Sequence, residues 1–167
     1  MLKHNFKNKV AVISGGSGVL GGAMAKGLAK EGIRVAILGR TASTLKTIVD
    51  EINLLGGQAI GLVADVLDRE KLETACNDVL LKWGSIDILV NAAGGNIKGA
   101  IIMPEDNFFD MKMEDFDAVT NLNLKGTLLP ILVFGKEIAK QQNGSIVNIS
   151  SIAAQQTLTR VVGYSAA

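Results

Sequence analysis

Apolar residues run along this chain in two rhythms. Short, nearly unbroken runs rich in β-branched residues alternate with longer segments in which apolar positions recur every three or four residues. The runs Lys9–Ser14 (KVAVIS), Arg34–Leu38 (RVAIL), Gln58–Val63, Ile86–Val90 (IDILV) and Ser145–Ile149 (SIVNI) predict five strands. Between them, Leu20–Lys30 predicts a helix whose Gly21, Gly22 and Ala23 allow close packing on a sheet. Ser43–Leu55 predicts a second helix, opened by a Ser43 cap and ended by Gly56-Gly57. Arg69–Lys82 is amphipathic, with Leu72, Ala75, Cys76, Val79 and Leu80 on one stripe. A connection from Asn91 to about Lys112 precedes a long helix from about Asp115 to Gln141. That helix is expected to bend near Pro130, because proline lacks the donor and crowds the preceding turn.

Strands this apolar are buried on both faces, which implies a parallel sheet covered by helices on either side. Right-handed crossovers then make the architecture α/β, a doubly wound parallel sheet of Rossmann type. No linker composition and no internal repeat divides the sequence, so residues 1–167 read as a single dinucleotide-binding domain.

Composition narrows the partners. The chain is 48% hydrophobic with a formal net charge of +1, which gives no electrostatic reason to expect nucleic acid or an anionic membrane surface. The single cysteine, Cys76, cannot form an intrachain disulfide and fits a reducing, cytoplasmic setting. Met1 to Val10 lacks the apolar core of a signal peptide, and no later apolar run is read as long enough to span a bilayer. No clustering of metal-ligand residues is read, so no metal site is expected. Nineteen glycines against two prolines direct attention to turns where backbone must approach a ligand.

The first such cluster is Ser14-Gly15-Gly16-Ser17-Gly18-Val19-Leu20-Gly21, between the first strand and its helix. Glycines there let the chain turn tightly and aim backbone N–H groups at a pyrophosphate, with the helix N-terminus adding the favourable end of its dipole. The segment resembles the Thr-Gly-x-x-x-Gly-x-Gly loop of the classical short-chain dehydrogenase/reductase family, with Ser14 in the threonine place. Val19 stands where the family has its middle glycine. Asn91-Ala92-Ala93-Gly94 matches the family's motif after strand four, where small residues let a cofactor lie against the sheet edge and the Asn amide ties strands together. Asp65, followed by Val66, is similar to the family aspartate that hydrogen-bonds the adenine amino group. On its own, an Asp after a strand is more often a helix cap, and one residue can serve both roles.

The end of strand two discriminates between nicotinamide cofactors. A carboxylate there accepts from the ribose hydroxyls and repels a 2′-phosphate. This chain has Leu38-Gly39-Arg40 instead, and Arg40 offers a planar fork to a 2′-phosphate, so NADP(H) is favoured with NAD(H) possible.

Three residues fall at the family's reacting end. Ser151 follows strand five, Tyr164 comes at the family's spacing after it, and Asn123 lies at the family's helix asparagine. The resemblance implies a hydride transfer in which the tyrosine gives a proton to the developing alkoxide and the serine holds its oxygen. Tyrosine needs a nearby cation to do this near neutrality. The family supplies it from a lysine four residues after the tyrosine. Here that position is 168, past Ala167. The expectation is therefore a C-terminally truncated chain without turnover, lacking the family's last strands and substrate-capping segment and leaving strand five as an exposed edge. The family's habit of pairing through the long helix makes 115–140 the expected interface of a homo-oligomer.

Gly18-Val19-Leu20-Gly21, Gly94-Gly95-Asn96, Asn107-Phe108-Phe109-Asp110, Gly126-Thr127-Leu128-Leu129-Pro130 and Thr157-Leu158-Thr159 resemble the D-mannonate (fructuronate) oxidoreductases of the same family, a sugar-acid branch. That implies oxidation or reduction of a sugar acid, in which NAD(H) would be plausible despite Arg40. Arg160, between Ser151 and Tyr164, is a candidate partner for the substrate carboxylate. The alternative is a non-catalytic nucleotide-binding or subunit-interaction module.

Overall fold

A computed structural model describes residues 6–156 and 158–167; the N-terminal reading up to Asn5 and Thr157 of the loop motif lie outside the described residues. Five strands, β1 (Val10–Ser14), β2 (Arg34–Gly39), β3 (Gln58–Val63), β4 (Ile88–Asn91) and β5 (Ser145–Asn148), form one parallel sheet in the order β3-β2-β1-β4-β5. The strand order reverses between β1 and β4. Helices α1 (Val19–Lys30), α2 (Ala42–Leu54), α3 (Arg69–Trp83), α4 (Met113–Thr120), α5 (Gly126–Lys140) and α6 (Val162–Ala166) supply the outer layers and the C-terminal segment. The fold is the doubly wound, Rossmann-type α/β sheet.

Two-residue periodicity in β1 divides the core. Val10 and Val12 face α3 and α5 and pack with Leu72, Val79 and Phe134. Ala11 and Ile13 face the other way and pack with Ala25, Ile33, Leu45 and Ile52. All of these side chains are buried, so the central strand carries no polar face. β5 lies at the sheet edge, where Ile146 and Val147 are exposed.

Local readings need correction at five points. The residue before α2 is Thr41, without a side-chain cap, while Ser43 lies inside the helix and its carbonyl accepts the Thr47 hydroxyl. Asp68 caps α3 by accepting the Lys71 N–H at 3.1 Å, and that bond holds its carboxyl below the ordinary value. The cap is therefore not Asp65, whose carboxylate accepts the Leu67 N–H at 2.9 Å. β4 begins at Ile88 rather than Ile86: the Asp87 N–H still donates to the Val10 carbonyl at 2.9 Å, but the Asp87 carboxylate takes the Val10 N–H at 2.9 Å, with the Lys9 ammonium at 2.7 Å, so that donor is not left for a strand carbonyl. Finally, the long helix leaves α geometry not at Pro130 but at Asn121–Lys125, a π-helical turn in which the Gly126 N–H reaches back to the Asn121 carbonyl. Including that turn, Met113–Lys140 is long and apolar enough by length and composition to cross a membrane, contrary to the reading that no run was. Its Pro130, Val133, Phe134 and Ile138 are nonetheless buried in the domain.

Cys76, on α3, is buried in the α5-side core, and burial pushes its thiol up to about 11. Below pH ~9 the thiol is protonated whether the chain is folded or not, so it costs nothing. Between ~9 and ~11 the unfolded chain loses the proton while the folded one keeps it, and stability falls by at most on the order of 2–3 kcal/mol. Urea midpoints of wild type and Cys76→Ala across this range should show an alkaline loss in the wild type that the variant lacks. Equal slopes would refute it.

Candidate active site

β1 leads into a tight reversal. Gly15 takes φ +64°, the left-handed region, and a Cβ there would lie 2.8 Å from the Ala92 carbonyl and the Ala93 backbone. Gly21, one turn into α1, packs directly on the Gly15 peptide, with no room for a side chain. Backbone bonds stitch the loop down: the Gly16 N–H donates to the Leu38 carbonyl at 3.1 Å and the Gly18 N–H to the Gly15 carbonyl at 2.9 Å. α1 starts with no side-chain cap and no acidic residue in its first turn, which leaves its N–H groups to an anion.

Ser14 is fully buried and does not face the opening. Its Oγ accepts the N–H groups of Ala92 and Ala93 at 3.1 and 3.2 Å, so it fastens the loop after β4 to the loop after β1. Asn91 is likewise buried; its Nδ2 donates to Asn148 Oδ1 at 2.9 Å and ties β4 to β5. Val19 and Leu20 project outward, 91% and 65% exposed. The valine in place of the family's glycine therefore meets no crowding from the protein.

What remains between these loops is an open cavity of about 250 Å³ beyond the carboxyl ends of β1, β2, β3 and β4, at the point where strand order reverses. The glycine loop lines it with Gly15, Ser17 and Gly18, the end of β2 with Gly39 and Arg40, the end of β3 with Ala64, Asp65 and Val66, and the segment after β4 with Ala92, Ala93 and Gly94. Of the residues expected to touch cofactor, Ser14, Val19, Leu20, Gly21 and Asn91 thus stand behind or beside the cavity rather than on its wall. A glycine cradle, an uncapped helix N-terminus and an arginine at the far end fit a dinucleotide. Among the described residues no group of three or more metal-ligand side chains is gathered.

Asn123 sits in the π-helical turn. Its Oδ1 accepts the Gly95 N–H at 2.9 Å, and its Nδ2 donates to the Gly95 carbonyl and the Val119 carbonyl, each at 2.8 Å. The side chain grips the peptide on both sides of Gly95, whose φ is +145°. Gly95 and the cavity residue Leu122 were not among the residues expected at the site; the Gly94-Gly95 doublet was the available signal. Ser151 follows β5, and its Oγ accepts the Ala153 N–H at 3.2 Å, capping a short turn. Tyr164 lies half-buried in α6, which is seated on α4: a Cβ on neighbouring Gly163 would come within 3.1 Å of Val119 and 3.2 Å of Phe116. The helix that carries Asn123 and the helix that carries Tyr164 are thus in direct contact. Arg160 is exposed, outside the cavity.

With this arrangement in place, comparison with known proteins is decisive. The family model for short-chain dehydrogenases matches residues 9–167. The protein belongs to that family. It is 45% identical to an uncharacterized oxidoreductase, UxuB, of Bacillus subtilis over 99% of its own length and 63% of that protein's. A solved Haemophilus influenzae structure with bound NAD, provisionally described as a D-mannonate oxidoreductase, superposes with a TM-score of 0.92 at 35% identity, covering 98% of this chain and 62% of that one. An actinorhodin polyketide ketoreductase variant with NADPH superposes at 0.87 with 28% identity, over 95% of this chain and 59% of that one. The chain therefore spans about three-fifths of the length of these relatives.

Proposed function

We propose that this protein is an NAD(P)-dependent oxidoreductase acting on the alcohol or ketone group of a sugar acid of the D-mannonate/fructuronate kind. The observation that carries the reading is the glycine-cradled cavity at the strand-order switch, with the Asn123 and Tyr164 helices packed together beside it. When bound, a reduced nicotinamide would supply a hydride to the carbonyl carbon, and the carbonyl oxygen would then need a proton. Tyr164 is assigned as the donor of that proton, with solvent restoring it, and Ser151 as the hydroxyl that holds the oxygen. Asn123 acts through Gly95, fixing the wall against which the cofactor would lie. The likeness to a structure described as a D-mannonate oxidoreductase supports the substrate class. A cytoplasmic setting belongs to the same reading. The direct test is appearance of reduced cofactor when the gene product is supplied with D-mannonate and NAD⁺ or NADP⁺; no turnover with any hexonate would remove the substrate assignment.

Arg40 decides between the two cofactors in this reading. It lines the cavity and has no side-chain hydrogen bond or ion pair within the described residues, and Gly39 before it offers no carboxylate. Hydrogen bonds to a charged phosphate contribute about 1.5–3 kcal/mol each. Arg40→Asp is expected to weaken NADPH binding about 10- to 100-fold. NADH binding should hold or improve, as read by nicotinamide fluorescence titration. Equal effects on both cofactors would sink the assignment.

A further inference from the structure

The chain has four arginines, at 34, 40, 69 and 160. Three have assignments in the fold. Arg34 begins β2, at the end of the sheet away from the cavity; Arg69 pairs with Glu73 on α3; Arg40 lines the dinucleotide cavity. Arg160 is exposed and has no side-chain partner among the described residues. Its backbone is unusual: φ is +72°, a left-handed conformation that a residue with a Cβ adopts at a cost. The conformation is pinned from outside, because the Arg160 carbonyl accepts the Ile102 N–H at 2.9 Å. Ile102 belongs to the segment leaving β4, while Arg160 itself follows β5 and leads within a few residues into the Tyr164 helix. The residue is thus held where the segments beyond the carboxyl ends of β4 and β5 meet, which is where open parallel sheets receive ligands. Strained residues held by surrounding structure cluster at active sites and ligand clamps.

We propose that Arg160 is the specificity residue for anionic substrates, receiving the carboxylate of the sugar acid on its guanidinium fork. The inference rests on the sugar-acid reading above and adds the residue that enforces it. A guanidinium matches a carboxylate through two parallel hydrogen bonds, which an ammonium cannot reproduce.

Arg160→Gly and Arg160→Lys, made in the gene product, test this. Glycine adopts φ of +72° freely, so the backbone is preserved while the charge is lost. The expected result for Arg160→Gly is a KM for D-mannonate raised about 10- to 100-fold, the worth of a charge-assisted pair. kcat should be largely kept, and the cofactor Kd and Tm should be unchanged or, for Tm, raised. Arg160→Lys should fall between the two. An unchanged KM overturns the proposal, as does a KM, kcat and cofactor Kd that deteriorate together, which would mark a purely structural role. A wild type inactive on D-mannonate and other hexonates overturns the substrate reading and this proposal with it; an active wild type with an indifferent Arg160→Gly overturns this proposal alone.

Discussion

Tyr164→Phe, made in the gene product, is expected to lower kcat by about 10²–10⁴-fold, the usual worth of a positioned proton donor. The cofactor Kd should stay where it was. The separation follows from geometry. Tyr164 lies outside the dinucleotide cavity and makes no side-chain hydrogen bond to the described residues, so its hydroxyl does nothing for the fold or the cradle. The ring is half-buried, and phenylalanine keeps it. The position of α6 is set by Gly163 against Phe116 and Val119, which the substitution leaves alone. Thermal unfolding should therefore move little, within the roughly ±0.5 kcal/mol typical of changes away from special features. Single-turnover rates with saturating cofactor, beside fluorescence titration of cofactor binding, would separate the two effects. A full kcat in the variant would remove Tyr164 from the chemistry.

The fold was legible because its signals are local. Five β-branched runs and the intervening stripes are enough for a parallel α/β sheet, and β3 falls on Gln58–Val63 as expected. Where local signals competed, tertiary bonds chose. Ile86 is as apolar as a strand residue and is fully buried, yet the β1–β4 ladder opens only after Asp87, whose carboxylate is committed to Lys9 and Val10. An acid inside an apolar run was the visible hint of that tie. Proline drew the expected helix distortion to residue 130. The π-helical turn lies instead just before Gly126, where a Cβ would come within 2.9 Å of the Val66 side chain from another segment. No periodicity in one segment reports the proximity of another.

The site was legible as a list of residues and less so as a set of roles. Ser14, Asn91 and Asn123 were expected on account of their motifs. All three spend their side chains on other parts of the protein: Ser14 ties the loop after β4 to β1, Asn91 ties β4 to β5, and Asn123 ties that loop to the long helix. A motif points to side chains; whether each is a ligand contact or a brace behind one depends on what it touches in the fold. Gly15, Arg40 and Asp65 are on the wall itself, because each ends a strand or opens the loop after it, where backbone rather than side-chain packing shapes the surface.

Gly15→Ala is expected to abolish measurable dinucleotide binding and to cost the fold about 2–5 kcal/mol. Two penalties add. The left-handed φ of +64° is unfavourable for any L-residue, by about 1–2 kcal/mol. The new methyl would also sit 2.8 Å from the Ala92 carbonyl and the Ala93 backbone, which cannot rotate away as a flexible side chain would. Relief requires moving the loop after β4, and with it the bonds from the Ser14 hydroxyl to Ala92 and Ala93. Both walls of the cavity would then shift together, so affinity should fall further than stability alone predicts. Gly27→Ala supplies the contrast, since a methyl at Gly27, within α1, meets nothing within 4 Å. It should raise stability by about 0.5–1 kcal/mol, the helix-propensity difference, and leave cofactor binding intact. Paired thermal melts and fluorescence titrations of the two variants decide the matter: a Gly15→Ala protein that still binds cofactor at wild-type strength would mean that the cradle does not depend on the contact between these two loops.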